Sequence, residues 1–328
     1  MASRTINNIA LVGAGGNMGA LVLKNLLKSS LKYNITIVSR LDSKSIFPED
    51  PSITIKAGSY DSDSFLASAF SGTDAVVLAL HFEAIPDMAI RLIKAAAAAG
   101  VKWIFPPEFG SDTGNEVMIN VAPIHSLKVG IRNAIEELAK DHQGLKWVGV
   151  VTNPWLDWSL QKGMYEIDIP NRKATLLSGG TAKFNTTNLS TAALSIVRLL
   201  ALPITSSSGP SLSDYGNRLV YISSFRTSQR EILDSVQRVT GTSDSDWTIT
   251  NRDAQEYIEE GAAKIANGDI WGMANVLYGS VMKGDMGGDY ESAWGLSNTA
   301  LGLPKEDLDE SVRAALQDTS SRASSNVA

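Results

Sequence analysis

The feature that most restricts the fold is a cluster of glycines close to the start of the chain. The apolar run Ile9–Val12 leads into Gly13, and an apolar segment of helical period follows from Asn17. Gly13, Gly16 and Gly19 give the spacing G-x-x-G-x-x-G rather than the commoner G-x-G-x-x-G. A strand, a glycine turn and a helix in this order bring backbone N–H groups close to a pyrophosphate at the positive end of the helix. We therefore predict a dinucleotide-binding turn; a turn that uses glycine only for its conformation is the alternative.

The first 155 residues alternate between short runs of branched apolar residues and longer segments of helical period, which is typical of parallel strands joined by helices. The predicted strands are Ile6–Val12, Ile35–Val38, Ile53–Lys56, Ala75–Leu80, Trp103–Phe105 and Trp147–Val151. The predicted helices are Asn17–Lys28, Asp63–Phe70, Pro86–Ala99 and Ile124–Lys140. The pattern predicts an α/β fold: a doubly wound parallel sheet of the Rossmann type, which binds ligands at the carboxyl ends of its strands.

Beyond Pro154 this alternation gives way to short strands, helices and glycine-rich loops. We predict a dinucleotide-binding domain over residues 1–155 and a smaller, mixed α/β substrate lobe over residues 156–318 that can exchange elements with it. Residues 319–328 are rich in serine and poor in apolar side chains, which indicates a flexible tail.

Composition excludes several classes of protein. The chain has no cysteine, so disulfides, thiolate metal sites and cysteine nucleophiles are ruled out. Thirty-five acidic and 29 basic residues give a net charge of −6, and no basic block would follow a nucleic-acid backbone. No apolar run approaches the roughly 18 residues of a membrane-spanning helix and no secretory signal is recognisable, so we expect a cytoplasmic protein. The three histidines lack metal-ligand spacing, and no metal site is predicted.

The end of the second predicted strand indicates which cofactor is bound. NAD sites usually carry Asp or Glu there to hold the ribose 2′-hydroxyl, whereas this chain has Arg40 in the segment TIVSR. A guanidinium suits a 2′-phosphate, and Lys44 can add a second positive charge. We therefore predict NADPH as the cofactor. Asp42 keeps NADH open, and a solvent-facing Arg40 without a ligand is the alternative.

Four motifs together resemble one protein family. They are VGAGGNMG at the glycine turn, the strand that ends in Arg40, FPPEFG at Phe105–Gly110, and K-x-x-x-R-x-x-I-E at Lys128–Glu136. This combination is similar to the NmrA-like and isoflavone-reductase-like proteins, which are atypical short-chain dehydrogenases/reductases. The similarity spans the first lobe; in the second it is limited to VVTNPW and a segment around Tyr278–Asp285.

The resemblance implies roles for individual residues. The family's turn after the first strand corresponds to Gly13, Gly16, Asn17 and Met18, and its 2′-phosphate arginine to Arg40. Its catalytic lysine matches Lys128. The segment that lines the nicotinamide in the family matches Asn153, Pro154 and Trp155.

The predicted proton chemistry departs from that of ordinary short-chain dehydrogenases. Those enzymes place a tyrosine four residues before the lysine, and this chain has Ile124 there, so the tyrosine relay is absent. Lys128 beside a cofactor can hold the ribose hydroxyls and, when desolvated, exchange a proton near neutral pH. A solvent-facing lysine is the alternative. His125 is a secondary candidate for proton transfer, although a surface histidine is the commoner case.

Glu108 follows the fifth predicted strand and therefore lies at the carboxyl edge of the sheet. Its carboxylate can accept a substrate N–H or O–H, steady Lys128 or move a proton; alternatively, it only caps the following loop. The predicted catalytic residues are thus Lys128, Glu108 and His125.

Aromatic residues of the second lobe suggest the kind of substrate. They are Trp155, Trp158, Trp271, Tyr278 and Trp294. Aromatic walls suit a flat hydrophobic ligand oriented by a few polar groups. We predict that Trp155 and one residue between Trp271 and Tyr278 contact the substrate and that the others are structural. The expected partner is an aromatic or heterocyclic small molecule, and the expected assembly is a monomer or a homodimer.

Three functions agree with these features. The first is an NADPH-dependent oxidoreductase acting on such a molecule, for which the resemblance implies a secondary metabolite, with Lys128 and Glu108 in proton transfer. The second is a non-redox isomerase in which NADP(H) forms a wall of the pocket while Glu108 and Lys128 move protons. The third is an NmrA-like redox-sensing regulator, which the presence of Lys128 places last.

Overall fold

The first part of the chain builds alternating strands and helices. In the computed structural model, which describes residues 4–325 and side chains as far as Gln317, the strands are β1 (Asn8–Val12), β2 (Asn34–Arg40), β3 (Ile53–Gly58), β4 (Ala75–Leu78), β5 (Trp103–Phe105) and β6 (Lys146–Val151). The helices are α1 (Asn17–Lys28), α2 (Asp63–Phe70), α3 (Asp87–Ala98), α4 (Glu116–Val121) and α5 (Pro123–Leu138). The bounds of α1 and α2 are the predicted ones, and α4 is an addition to the predicted elements.

The second part mixes short strands with helices. Its elements are α6 (Leu156–Gln161), β7 (Ile167–Asp168), β8 (Lys173–Leu177), β9 (Phe184–Thr186), α7 (Leu189–Ala201), β10 (Arg218–Tyr221), β11 (Phe225–Thr227), α8 (Gln229–Thr240), β12 (Thr248–Arg252), α9 (Ala254–Ala266), α10 (Gly272–Lys283), α11 (Tyr290–Trp294) and α12 (Leu308–Ser325). The predicted tail, residues 319–328, therefore continues α12 as far as Ser325, and its last three residues lie outside the described part.

The main sheet is parallel and takes one strand from the second half of the chain. Among the described residues it has seven strands in the order β3-β2-β1-β4-β5-β6-β10, and β10 pairs in parallel with β6. The six predicted strands therefore gain a seventh. Successive strands are added outward from β1 to β3 on one side and outward from β4 to β10 on the other. Doubly wound sheets bind their ligands at this switch point, between β1 and β4. The predicted fold class, a doubly wound sheet with a smaller mixed α/β part, is confirmed.

Helices cover both faces of this sheet. Helices α1 and α7 pack on one face, and α2, α3 and α5 pack on the other. The central strands are buried on both sides, as in β4, where all four residues of AVVL are buried. Runs without polar alternation are expected for parallel strands enclosed by helices. Each buried Leu, Ile or Val contributes about 1.5–3 kcal/mol.

The smaller part has a core of its own. A three-stranded sheet, β12-β8-β7, and the two-stranded β11-β9 lie with α6, α8, α9, α10 and α12 around buried residues that include Tyr165, Phe184 and Tyr278. Met118 of α4 belongs to the same core, so α4 links the edge of the main sheet to the second part. Within residues 4–325, no helix has the length and apolarity required to cross a membrane.

Candidate active site

The glycine turn is shaped by close backbone approach. Gly13 has φ = 80°, and a Cβ there would clash with the carbonyl oxygen of Ala79 at the end of β4. A Cβ on Gly19 would clash with the carbonyl of Gly13, and the Gly16 N–H donates to that carbonyl at 3.0 Å. The first turn of α1 is thus drawn tightly against the ends of β1 and β4. This leaves backbone N–H groups at the positive end of α1 for a pyrophosphate.

The two predicted residues at the start of α1 lie on different sides. Asn17 is exposed beside the turn, whereas the side chain of Met18 is buried in the core between the sheet and α1. Only the backbone of Met18 can therefore face a phosphate. The core position explains why the chain has an apolar residue where the commoner motif has glycine.

The predicted 2′-phosphate residues lie at the end of β2. Arg40 is the last residue of the strand, with its side chain 67% exposed and its Nε 3.7 Å from Oδ1 of Asp42. Lys44 is also exposed, in the loop that follows. That loop folds back onto the glycine turn, because a Cβ on Gly15 would clash with the hydroxyl of Ser45. Two exposed cations therefore flank the loop that folds onto the glycine turn, where a 2′-phosphate is predicted.

Lys128 and Glu108 meet at the carboxyl edge of the sheet, although not through both side chains. The Nζ of Lys128, on α5, donates to the backbone carbonyl of Glu108, in the turn after β5. Burial lowers the pKa of Lys128, while the charge of Glu108 opposes the shift and that of Arg132 adds to it. The lysine is thus held at the rim, half-buried, with a weakened hold on its proton.

The carboxylate of Glu108 is bound by two other residues. Its Oε1 accepts from Arg132 Nη1 at 2.5 Å and its Oε2 from Thr113 Oγ1 at 2.8 Å. Arg132 also donates to the hydroxyl and the carbonyl of Thr113, at 2.6 and 2.9 Å. This buried pair fixes the loop after β5 to α5. A buried carboxylate held in this way is an acceptor and an anchor.

His125 is buried, and the alternative of a surface histidine is wrong. Its side chain is 2% exposed, and Nδ1 lies 2.6 Å from the carbonyl of Met118, so Nδ1 carries the proton as donor. Burial lowers the pKa of His125 to about 4, with the charge of Lys128 adding to the shift and the contact with Met118 opposing it. His125 is therefore neutral near pH 7 and ties α4 to α5.

The segment predicted to line the nicotinamide carries two unpaired polar atoms. Asn153 has φ = 53° and is buried; its Nδ2 donates to the carbonyl of Gly288 at 2.8 Å. Its Oδ1 and the indole Nε1 of Trp155 are buried without partners in the described part of the chain. Unpaired buried polar atoms are uncommon and need a cause. One acceptor and one donor, on residues two positions apart in the chain, have the chemistry to pair with the N–H and C=O of a carboxamide, so the donor set fits a nicotinamide.

The predicted aromatic residues fall into three environments. Trp155 and Trp158 meet edge to face at 6.2 Å. Tyr278 is buried, with its hydroxyl 2.6 Å from that of Ser159, and Trp271 is 72% exposed. Trp294 is exposed as well and stacks on Tyr221 with centroids 6.5 Å apart. Trp155 thus adjoins Asn153, whereas Tyr278 belongs to the core of the smaller part.

Three polar residues of the site are missing from the predicted set: Asp112, Arg132 and Tyr221. Asp112 follows the FPPEFG motif by two residues and is fully buried, and the Tyr221 hydroxyl donates to its Oδ1 at 3.0 Å. Arg132 lies one helical turn after Lys128, so its position in the K-x-x-x-R motif is the signal that could have found it. Nothing local distinguishes Tyr221. The described residues include no group of three side chains placed to hold a metal ion.

Known proteins resemble this chain both in sequence and in fold. Residues 5–146 match the NmrA-like family. The oxidoreductase aprR of Aspergillus flavus is 29% identical over 313 residues, which cover 94% of this chain and 98% of aprR. Among solved structures, an isoflavone reductase superposes with a TM-score of 0.71 at 20% identity, covering 94% of this chain and 99% of its own. AtPrR2 with NADP⁺ and (+)pinoresinol superposes with a TM-score of 0.71 at 16% identity, covering 95% and 99%.

Proposed function

We propose that this chain, whose residues 5–146 match the NmrA-like family, is an NADPH-dependent reductase of an aromatic or heterocyclic small molecule. The predicted family is confirmed, and the predicted class of enzyme agrees with the relative from Aspergillus flavus, which is named an oxidoreductase. The observation that carries the proposal is the position of Lys128. Its amine binds the carbonyl of Glu108 after β5, and in the order of the sheet β5 lies between β1, which leads into the glycine turn, and β6, which leads into Asn153 and Trp155.

Three groups of residues would hold the cofactor. The turn at Gly13 and Gly16 receives the pyrophosphate, Arg40 and Lys44 meet a 2′-phosphate, and Asn153 with Trp155 receives the carboxamide. NADP⁺ in the structure of AtPrR2 supports a nicotinamide cofactor for this fold. The preference for the phosphorylated form rests on Arg40 standing where NAD sites carry an acid. Once bound, NADPH supplies the hydride.

Lys128 is the residue on which we place the proton chemistry. Its ammonium is oriented by the Glu108 carbonyl, and its lowered pKa allows it to exchange a proton as well as to hold a ribose hydroxyl. The Glu108 carboxylate is paired with Arg132. We therefore assign Glu108 the positioning of Lys128 through its carbonyl rather than a proton of its own.

An aromatic substrate is favoured by the side chains around this rim. Trp155 belongs to the proposed nicotinamide site, and the exposed Trp294 stacks on the partly buried Tyr221. The solved structure of AtPrR2 contains (+)pinoresinol; for this chain it supports the size and aromatic character of the proposed ligand. A secondary metabolite remains part of the proposal.

The test is NADPH oxidation by the purified chain with a panel of aromatic carbonyl compounds. Lys128→Ala should lower kcat by about 100-fold or more, because general acid–base catalysis and orientation are both lost. Lys94→Ala, an exposed lysine on α3, is the matched control and should leave kcat unchanged. Product formed without net loss of NADPH would instead identify the isomerase, and a Lys128→Ala variant with full biological activity would favour the regulator.

A further inference from the structure

Asp112 is a buried carboxyl group with one oxygen unused. It is 0% exposed, and its Oδ1 accepts from the Tyr221 hydroxyl at 3.0 Å and from the Gly114 N–H at 2.9 Å. Its Oδ2 has no hydrogen-bond partner in the part of the chain that the structure describes. A buried polar atom left unpaired costs about 1–3 kcal/mol. Such an atom beside a site is explained by a ligand group that completes it.

Asp112 belongs to the same rim as Lys128. The carbonyl of Gly110 accepts from the N–H groups of Thr152 and Asn153 at 3.0 and 2.9 Å, which joins the loop after β5 to the proposed nicotinamide segment. Two residues of chain span at most about 7 Å, so Asp112 lies within one small molecule's length of Gly110. Lys128 reaches the same turn through its bond to the Glu108 carbonyl, and its Nζ would lie 3.5 Å from a Cβ on Gly110.

The surroundings of Asp112 favour the neutral acid. Burial raises its pKa, while the Gly114 N–H, the Tyr221 hydroxyl, the neighbouring Trp294 indole and the charge of Arg132 oppose the shift. Arg132 comes from α5, Tyr221 from β10 and Trp294 from α11. Because the Arg132 guanidinium is already bound to the Glu108 carboxylate, its charge is largely offset before it reaches Asp112. A neutral carboxyl group has an O–H to donate.

We propose that Asp112 recognises a carbonyl oxygen of the substrate; this proposal rests on the function proposed above. The protonated Oδ2 donates a hydrogen bond to the oxygen on which negative charge develops during reduction. A neutral aspartic acid in an apolar site can act as such a donor. The substrate class is thereby narrowed to compounds whose carbonyl is conjugated to a flat aromatic system. Trp294, 62% exposed beside Asp112 and stacked on Tyr221, provides a face for that ring.

Two substitutions at Asp112 separate donation from proton transfer. Phenanthrenequinone with NADPH serves as the probe reaction. Asp112→Ala removes the donor and should lower kcat/KM by about 100-fold or more. Asp112→Asn keeps an acceptor for Tyr221 and offers an amide N–H in place of the O–H, so it should retain activity to within about tenfold. An Asp112→Asn variant as inactive as Asp112→Ala would overturn the proposal, because it would mean that the proton itself is transferred.

The pH dependence of activity distinguishes a hydrogen-bond donor from a purely structural Asp112, because a purely structural residue would not shift the pH profile. The neutral acid donates, whereas the carboxylate repels the developing charge, so activity should fall as the pH rises through the pKa of Asp112. Tyr221→Phe removes a hydrogen bond that lowers this pKa and should move the alkaline limb to higher pH. Because Lys128 has a lowered pKa and can also contribute to this limb, the test compares Tyr221→Phe in two backgrounds. Tyr221→Phe should shift the limb in the wild type and should not shift it when Asp112→Asn is also present; an equal shift in both backgrounds would contradict the proposal.

An infrared difference spectrum tests the protonation state without any substrate. The wild type minus Asp112→Asn should show the C=O band of a carboxylic acid at neutral pH; bands of an ionised carboxylate alone would overturn the inference. The two proposals fail in different ways. Absence of NADPH oxidation by the wild type contradicts the proposed function, whereas equal kcat/KM in the wild type and Asp112→Ala contradicts only the role of Asp112.

Discussion

Arg40 is expected to decide which nicotinamide cofactor is bound. Its guanidinium lies 3.7 Å from the Asp42 carboxylate, and both side chains are largely exposed, at 67% and 77%. An exposed pair of this kind is worth about 0–1 kcal/mol, so Arg40 is free to leave it. A 2′-phosphate brings about two negative charges and can accept two parallel N–H donors, which Asp42 at this distance does not.

The size of the effect follows from these terms. A hydrogen bond to a charged group contributes about 1.5–3 kcal/mol, and breaking the Asp42 pair subtracts at most about 1 kcal/mol. The net is about 0.5–3 kcal/mol, or about 2- to 150-fold in Kd. Arg40→Ser should therefore weaken NADPH by that factor and leave NADH within about twofold, because NADH has no 2′-phosphate for the guanidinium to contact. Asp42→Ser should tighten NADPH by up to about fivefold.

Isothermal titration of both cofactors measures this selectivity directly. Arg91→Ser is the matched control: Arg91 is also exposed and lies 3.5 Å from a single carboxylate, that of Asp61. It should change neither Kd. Repeating the titrations at higher salt should reduce the preference of the wild type for NADPH, since exposed charges are screened. Equal weakening of NADPH and NADH by Arg40→Ser would refute the reasoning, as would a control that behaves like Arg40→Ser.

Other substitutions report on the fold around the site. Arg132→Met leaves the buried Glu108 carboxylate without its cation, so the free energy of unfolding in urea should fall by about 3–5 kcal/mol. Adding Glu108→Gln should recover part of this loss. If the effects of the two substitutions on the free energy of unfolding simply added, the two side chains would not be coupled. The pKa of His125 is about 4 in the folded protein and 6.5 for a free histidine. As the pH falls, the unfolded chain therefore binds a proton before the folded protein does. The free energy of unfolding should decrease by about 3 kcal/mol between pH 6.5 and pH 4. His125→Asn should remove this loss from acid titrations followed by circular dichroism, and an unchanged acid transition would contradict a buried neutral ring. Gly13→Ala, at φ = 80° and against a carbonyl, should weaken NADPH and lower the unfolding free energy by more than about 1 kcal/mol; a variant of unchanged stability would mean that the turn is not constrained.

Local patterns were sufficient for six strands and four helices of the first half of the fold, but not for α4. The strands are short runs rich in branched apolar residues and the predicted helices have a clear period, so α1 and α2 have the bounds that the sequence predicts. The strand β10 could not be predicted in the same way. It has four residues, RLVY, and its membership of the main sheet depends on pairing with β6 about 70 residues earlier. Such pairing is set by tertiary structure, which local preference does not encode.

The sequence predicts the position of a site residue where that residue belongs to a motif. It predicts less well which partners a side chain contacts, because burial and packing decide that. Lys128 reaches the sheet edge, as its helix position indicates. Glu108 lies at the predicted edge as well, yet its carboxylate meets Arg132 because the two cations are one turn apart on α5 and only the packing selects between them. Asp112 carries no signal, since the same residue type is exposed at most positions. The roles assigned to these side chains stay predictions.

The pairing of β10 with β6 ties completion of the sheet to a late moment in synthesis. Until residue 221 has left the ribosome, the Val148–Val151 segment of β6 is an open edge whose backbone groups can pair with another chain. The glycine turn is therefore translated before β10, and the sheet that supports the turn is completed only when β10 pairs with β6. A truncated product that ends near residue 155 would contain every glycine of the turn, yet its β6 would remain an exposed edge strand that can pair with other chains.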